Sequence, residues 1–174
     1  MYISAKADYA ARALLTLAAA GGGPLKGDVL AREQGLPKKF LENTLIALRR
    51  AGVLETHRGS EGGYRLARPA DQITIADIIR PLDGPLAEVR GEKPEETVYD
   101  GAAAHLRDVW VAVRAALRDV LENVTLADVV AGTLPPQVSE LLDRPGAWVR
   151  RVPGEVPPPM APRHVRHRAP ARQR

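Results

Sequence analysis

The sequence is constrained most by two short periodic segments within residues 26–52. Residues 26–34 have the apolar spacing of a helix that packs on one side, and Gly35 follows as a typical helix stop. Pro37 can occupy the first turn of a second helix. In that second helix, leucines recur along one face at positions Leu41, Leu45 and Leu48.

A hairpin is predicted directly after these two helices. Residues 53–57 and 64–67 have strand patterns, and residues 58–63 between them contain three glycines, which suit a hairpin turn. Two short helices joined by a tight turn form a helix-turn-helix, whose second helix reads DNA, and a hairpin behind it is a wing. We therefore predict a mainly α fold with a small β-wing.

Helical patterns also flank this winged segment. A helix is predicted at residues 4–20, and capping boxes at 74–77 and 125–128 each begin a short helix. The longest helix is predicted at residues 100–123. Its apolar side chains recur at helical spacing and are predicted to pack against a second copy of the chain: Leu106, Val109, Trp110, Val113, Leu117, Val120 and Leu121.

These patterns divide the chain into four segments. Residues 1–82 are predicted to form a winged helix-turn-helix domain, residues 83–98 an exposed linker, and residues 99–132 a dimerisation helix with a short following helix. Residues 133–174 are rich in Pro and Arg. Such a composition buries too little apolar surface to offset its ordering entropy, so we expect a disordered basic tail.

The charge is unevenly distributed along the chain. Residues 1–68 carry eleven Lys or Arg and six Asp or Glu, whereas residues 69–143 carry six and fourteen, and residues 144–174 eight and one. Phosphate contacts supply most non-specific DNA affinity, so a basic first third suits a DNA-binding module. Ordinary surface variation explains the same distribution equally well.

Several segments together resemble one family. They are KADYA (6–10), FLEN (40–43), LRRAGVL (48–54), RG (58–59), GGYRL (62–66) and NVTLADV (123–129). In order and spacing, residues 1 to about 131 resemble the winged-helix regulators that include IscR, NsrR and CymR, the Rrf-two family. The resemblance implies a DNA-binding transcriptional regulator, expected to be a repressor. It also implies a homodimer, joined through the long helix, on a pseudo-palindromic DNA operator.

The predicted DNA-binding residues of the second helix are Lys38, Lys39, Glu42, Asn43, Arg49 and Arg50. Positive charge at a helix start opposes the helix dipole, so Lys38 and Lys39 favour DNA contact over a solvated helix start. Glu42 can accept a hydrogen bond from cytosine N4, and the resemblance implies that it discriminates between operators. An ion pair with Lys38 or Lys39 is an equally good interpretation of Glu42.

The predicted DNA-binding residues of the hairpin are Arg58, Gly59, Gly62, Gly63 and Arg65. An arginine at the base of a wing can enter the minor groove, where narrow tracts concentrate negative potential, and the resemblance implies this role for Arg58. The glycines are explained first by the turn itself and second by close phosphate approach.

The absence of cysteine separates the chain from the sensing members of the family. Those members hold an iron–sulfur cluster with three cysteines, whereas Ala104 and Arg107 stand at two of the ligand positions here. We therefore expect no cluster, no other cofactor and no metal. A small ligand at the former cluster site would meet Asp8, Arg12, His105 and Arg107; alternatively, these side chains pair with one another or with solvent.

No pattern of catalytic or metal-ligating residues favours an enzyme. The alternative to an independent DNA-binding regulator is a winged-helix interaction module, or a regulator controlled by a partner protein or a small ligand. The sequence has no run of about 18 apolar residues and no signal-peptide pattern, so we expect a cytoplasmic protein without membrane contact.

Overall fold

The computed structural model describes residues 3–59 and 62–150. The chain divides into two compact units, Met1–Pro136 and Gln137–Arg174. The winged domain and the long helix belong to the first unit. Among the described residues, no helix is long and apolar enough to cross a membrane.

Three helices build the core of the winged domain. Helix α1 spans Ala5–Ala19, and the Ser4 hydroxyl caps it by accepting a hydrogen bond from the Ala7 amide. Helix α2 spans Gly27–Gln34 and α3 spans Lys38–Arg50. The predicted leucines of α3 are buried against α1 and α2, so the tight-turned helix pair is confirmed.

The turn between α2 and α3 contains the predicted glycine stop, but the proline lies one position earlier relative to α3 than predicted. Gly35 adopts a left-handed φ of 61°, which satisfies the C-terminal carbonyls of α2. Pro37 stands just before α3, as its N-cap, rather than inside its first turn. The lysines therefore occupy the first two helical positions of α3.

The wing consists of two antiparallel strands, β1 (Leu54–His57) and β2 (Gly63–Leu66). Leu25, which precedes α2, adds a backbone bridge to the outer side of β2. The Leu25 amide donates to the Tyr64 carbonyl at 2.9 Å, and the Tyr64 amide donates to the Leu25 carbonyl at 2.8 Å. The wing is thus fixed to the start of the helix-turn-helix.

The two predicted capping boxes are both formed. They begin α4 (Ile75–Asp83) and α6 (Leu126–Ala131). The first turn of α6 also bonds to the segment before α4, because the Leu126 amide donates to the Ile73 carbonyl at 2.9 Å. Leu126 is fully buried in the core beside α1. Helix α6 therefore packs on the winged domain, although the sequence grouped it with the dimerisation segment.

The expectation that residues 83–98 form an exposed linker is wrong for part of the segment. Leu86, Pro94 and Thr97 are buried, and Pro94–Glu96 forms a 3₁₀ turn against the long helix. That helix, α5, spans Leu106–Leu121 and begins later than predicted, after a separate 3₁₀ turn at Gly101–Ala103. Gly101 has a φ of 58°, outside the right-handed helical region, so the helix cannot continue upstream through this residue.

The expectation of a disordered tail from residue 133 is also wrong at its start. Helix α7 spans Pro136–Leu142 and buries Val138. Proline is favourable in a first helical turn, which explains why a Pro-rich segment begins a helix here. Trp148 then donates its indole N–H to the Leu142 carbonyl at 3.1 Å. The tail prediction for residues 151–174 lies outside the described residues.

Candidate DNA-binding surface

The start of α3 is held by an ion pair that the sequence analysis did not predict. Lys38 Nζ lies 2.7 Å from Asp28 Oδ1, on the first turn of α2. The hydrogen bond to Asp28, reinforced by its charge, raises the pKa of Lys38 above the ordinary 10.5. This pair joins the two helices of the helix-turn-helix. It also offsets part of the positive charge that Lys38 would present to a phosphate.

The neighbouring polar side chains of α3 point away from the core. Lys39, Glu42 and Asn43 are exposed, and none of them forms a hydrogen bond or an ion pair with another described side chain. Lys38 forms its ion pair with Asp28 rather than with Glu42, although the charge of Glu42 also contributes to raising the pKa of Lys38. Glu42 is thus available as a hydrogen-bond acceptor on the exposed face of the helix.

At the other end of α3, Arg49 and Arg50 are exposed in the last turn. Cations at this end of a helix are stabilised by the helix dipole, so the two arginines suit the fold as well as a phosphate backbone. The exposed face of α3 therefore carries basic groups at both ends and polar groups between them.

The two arginines of the wing differ in their contacts: Arg65 forms an ion pair, whereas Arg58 does not among the described residues. Arg58 is exposed immediately after β1, and Gly59 behind it adopts a φ of 116°, which favours glycine. Arg65 lies opposite Glu55 in the strand register, with Nε 2.5 Å from Glu55 Oε1. Arg58 is therefore the better placed of the two for contact with DNA. The wing tip, residues 60–61, lies outside the described residues.

Gly62 and Gly63 serve close backbone contacts. A Cβ on Gly63 would overlap the backbone of Leu25, and one on Gly62 would overlap the carbonyl groups of His57 and Gly59. Neither glycine has a positive φ. The sequence predicted these glycines from the turn, whereas Gly63 is required by the attachment of the wing to the segment before α2.

The predicted dimerisation residues lie on a helix that has no buried residue within one chain. Val109 and Val113 are 51% and 42% exposed, and the other members of the set are partly covered. Trp110 is half-buried, and its indole N–H donates to Tyr99 Oη at 3.2 Å. The apolar face of α5 is therefore available to another surface.

The residues expected around a ligand at the former cluster site form two separate groups. On α1, Arg12 pairs with Asp8 at 3.6 Å and also donates to Gln34 of α2. On α5, Arg107 lies beside Asp108, and His105 Nδ1 lies 3.4 Å from the same Asp108 carboxylate. Within one chain, Asp8 and Arg12 thus pair with each other, while His105 and Arg107 pair with Asp108.

The donor set does not fit a thiolate-held iron–sulfur cluster. Such a cluster needs four ligands, most of them cysteines, and the chain has no cysteine. Within residues 3–59 and 62–150, no three His, Asp or Glu side chains are grouped as a metal site.

Comparisons with a family model and with known proteins agree on the same family. The Rrf2 family model, described as an iron-dependent transcriptional regulator, matches residues 3–132. A Mycobacterium tuberculosis protein named as an HTH-type transcriptional regulator is 51% identical over 144 residues, which are 82% of this chain and 89% of that protein.

Solved structures agree with the sequence matches. The structure of CymR, the global cysteine regulator of B. subtilis, has a TM-score of 0.65 and 35% identity, and it covers 76% of this chain and 98% of its own. The structure of T. potens IscR has a TM-score of 0.62 and 33% identity, covering 76% and 88%. These matches confirm the winged-helix fold and a family of regulators rather than enzymes. The chain belongs to the Rrf2 family of DNA-binding, helix-turn-helix transcriptional regulators.

Proposed function

We propose that this regulator binds a pseudo-palindromic DNA operator as a homodimer, and that each copy places α3 and its wing on one half-site. The observation that carries the proposal is that α3 has one apolar, buried side and one basic, exposed side. Leu41, Leu45 and Leu48 anchor one side in the core, while the opposite side is exposed and basic at both ends. A helix anchored in this way can enter the major groove without loss of its packing.

The contacts and positions of these side chains suggest which part of the DNA each of them binds. Lys39, Arg49 and Arg50 are proposed to bind phosphates, since they are exposed cations without acidic partners among the described side chains. Glu42 and Asn43 are proposed to contact base edges, because they lie between the cations. Arg58 is proposed to enter the minor groove beside the wing.

The proposed dimer rests on the exposed apolar face of α5. A single winged domain has a small footprint on DNA, and a two-fold dimer doubles its contacts on a palindromic site. A second α5 packed on the face that contains Val109 and Val113 would remove this apolar surface from water.

The proposed effect is repression in the cytoplasm. A dimer that covers an operator excludes RNA polymerase by occupancy alone, whereas activation requires a further contact surface. The relatives are named as transcriptional regulators of bacteria, where transcription takes place in the cytoplasm, and this supports the proposed location.

The test begins with selection of binding sites from random DNA with the full chain. A two-fold symmetric consensus is expected. The logarithm of affinity for that site should then fall linearly with the logarithm of salt concentration, with a slope of about −0.9 per phosphate contact. Absence of any selected consensus, or a nearly flat salt dependence, would favour the alternative of a protein-interaction module.

Two lysine variants sharpen the salt experiment. Lys39→Ala should make the slope shallower by about one phosphate contact, and Lys38→Ala by less, because Asp28 already pairs with Lys38. Arg107→Ala, on the exposed surface of α5, is the matched control and should keep the wild-type slope. Equal slopes for all four proteins would show that α3 is not the reading helix.

A further inference from the structure

A cavity of about 710 Å³ lies where α4, the 83–98 linker and α5 meet. Its volume is within the roughly 300–1,000 Å³ typical of small-molecule sites. Basic side chains reach it from all three elements: Arg80 of α4, Lys93 of the linker, and Arg114 and Arg118 of α5. None of the four belongs to the set expected around a former cluster site.

Arg114 is the most enclosed of these groups, with only 14% of its side chain exposed. Its guanidinium pairs with Glu95, and a hydrogen bond from Arg114 is the largest cause that lowers the pKa of Glu95 below its ordinary 4.5. A guanidinium carries five N–H donors, more than one carboxylate can accept. An additional anionic group can therefore bind Arg114, either beside Glu95 or in its place.

The other two arginines of the cavity share one acidic partner. Arg80 and Arg118 share a single carboxylate, that of Glu122 at the end of α5, and Arg118 Nε lies 3.5 Å from it. Lys93 is paired with Glu96 at 2.7 Å, and Glu88 is the remaining acid of the lining. Two guanidinium groups on one carboxylate leave donors that a further anion can use.

The linker that closes the cavity is held in a strained conformation. Ala87 and Arg90 have φ values of 60° and 56°, in the left-handed region that L side chains rarely adopt. Arg90 is held by stacking over the Tyr99 ring, 5.7 Å from its centroid. Left-handed non-glycine residues are concentrated at ligand clamps and switch regions, and here two of them flank one cavity.

We propose that this cavity binds a small organic dianion, with carboxylate or phosphate groups on Arg114 and on the Arg80–Arg118 pair. Guanidinium groups bind such oxyanions in a bidentate manner. An organic ligand is favoured over a bare inorganic ion because Pro85, Leu86, Ala87 and Pro94 supply an apolar wall next to the arginines.

The site would regulate DNA binding, and this part of the inference rests on the proposed function. Arg80 belongs to α4 of the winged domain, whereas Arg114 belongs to α5, the proposed dimerisation helix. A dianion that spans them changes how the winged domain is held against α5. A ligand that displaces Glu95 also releases the Pro94–Glu96 turn from α5, and the spacing of the two reading helices changes with it.

The test uses calorimetric titration of the full chain without DNA. The probes are glutarate, glycerol 3-phosphate and inorganic phosphate, with neutral glutaramide as the matched control. At least one organic dianion should bind at constant ionic strength, and glutaramide should not. Glutarate and glycerol 3-phosphate distinguish the carboxylate from the phosphate source.

Two substitutions should change this binding in opposite directions. Arg114→Gln should weaken it by roughly tenfold or more, because a charge-assisted bidentate contact is lost. Glu95→Gln should strengthen it, because the internal carboxylate no longer competes for Arg114. Arg32→Gln removes the same charge from an exposed position on α2 and should bind like wild type.

The inference is overturned if no organic dianion binds, or if inorganic phosphate binds as well as the organic probes. It is also overturned if Glu95→Gln and Arg32→Gln both bind like wild type, a comparison that holds even if Arg114→Gln is misfolded. Operator binding is measured separately. Dianion binding by a chain that selects no DNA site would refute the proposed function and leave the anion site standing.

Discussion

At Gly63 the absence of a side chain allows the wing to reach the segment before α2. Gly63→Ala places a methyl group on the backbone of Leu25, so β2 must shift and its bridge to Leu25 is disturbed. Overpacking of this kind costs about 1–3 kcal/mol. The expected result is a lower free energy of unfolding, measured from urea denaturation, with a lower midpoint.

Gly23→Ala is the matched control for this substitution. A Cβ on Gly23 meets no atom within 4 Å, and its φ is outside the left-handed region. Its unfolding free energy should be unchanged, or raised by about 0.4–1 kcal/mol through the lower entropy of the unfolded chain. Equal effects of the two substitutions would contradict the role assigned to the Leu25 contact.

Arg58 is exposed in the described part of the wing and, unlike Arg65, has no acidic partner among the described side chains. Arg58→Ala should cost about 1–3 kcal/mol at the selected operator and less on random DNA, because a minor-groove contact depends on local groove width. Fluorescence anisotropy with the two DNAs measures the difference. Arg107→Ala should leave both affinities unchanged. An equal loss on both DNAs would reduce Arg58 to a phosphate contact.

Single residues were predictable from the sequence where their role is local. The leucine stripe of α3 and the helix stop at Gly35 follow from periodicity and from backbone preference, and both are confirmed. The Lys38–Asp28 pair was not predictable, because it depends on how α2 and α3 pack. The strand register that pairs Arg65 with Glu55 is likewise known only from the fold.

At the scale of elements, the features that depend on local sequence were again predicted, and those that depend on packing between distant elements were missed. The capping boxes of α4 and α6 join residues three positions apart, so the sequence predicts them directly. The buried linker was missed, because Leu86 and Pro94 are covered by distant elements that no local pattern reveals. Helix α7 was missed because its Pro-rich composition outweighed a seven-residue pattern.

The capping box of α6 predicts a pH dependence. The Thr125 hydroxyl donates to Asp128 Oδ2 at 2.7 Å and the Thr125 amide donates at 2.8 Å, and these bonds lower the pKa of Asp128 below its ordinary 3.8. Because the pKa is lower in the folded state, the ionised carboxylate stabilises the fold above the unfolded pKa. That contribution is lost as the pH falls through the folded pKa.

Asp128→Asn should therefore lower the free energy of unfolding at pH 7, and its deficit relative to wild type should shrink below about pH 4. Urea denaturation across the range from neutral to acid measures both curves. Thr125→Val removes the hydroxyl partner of the same carboxylate and should show a deficit with the same pH trend. Parallel curves for wild type and Asp128→Asn would refute the assignment.

At the scale of the whole molecule, the apolar face of α5 is a surface that a single chain leaves uncovered. The basic first third of the sequence became the exposed face of α3 and the wing, and the acidic middle holds the linker and α5. The apolar periodicity of α5 predicted a face for packing, yet only a second copy or another partner can show what covers it. Val109 and Val113 remain exposed within a single chain.

The assembly is tested by adding charge to that face. Val113→Asp with Leu117→Asp should yield monomers in analytical ultracentrifugation at micromolar concentration, because two carboxylates would be buried unpaired in the interface. Operator affinity should fall roughly hundredfold or more, since the half-sites are no longer linked. Affinity for an isolated half-site should be unchanged. Ala115→Asp adds a carboxylate to the exposed far side of α5 and should remain dimeric. A monomeric wild-type chain, or a dimeric Val113→Asp, Leu117→Asp variant, would show that α5 does not join two copies.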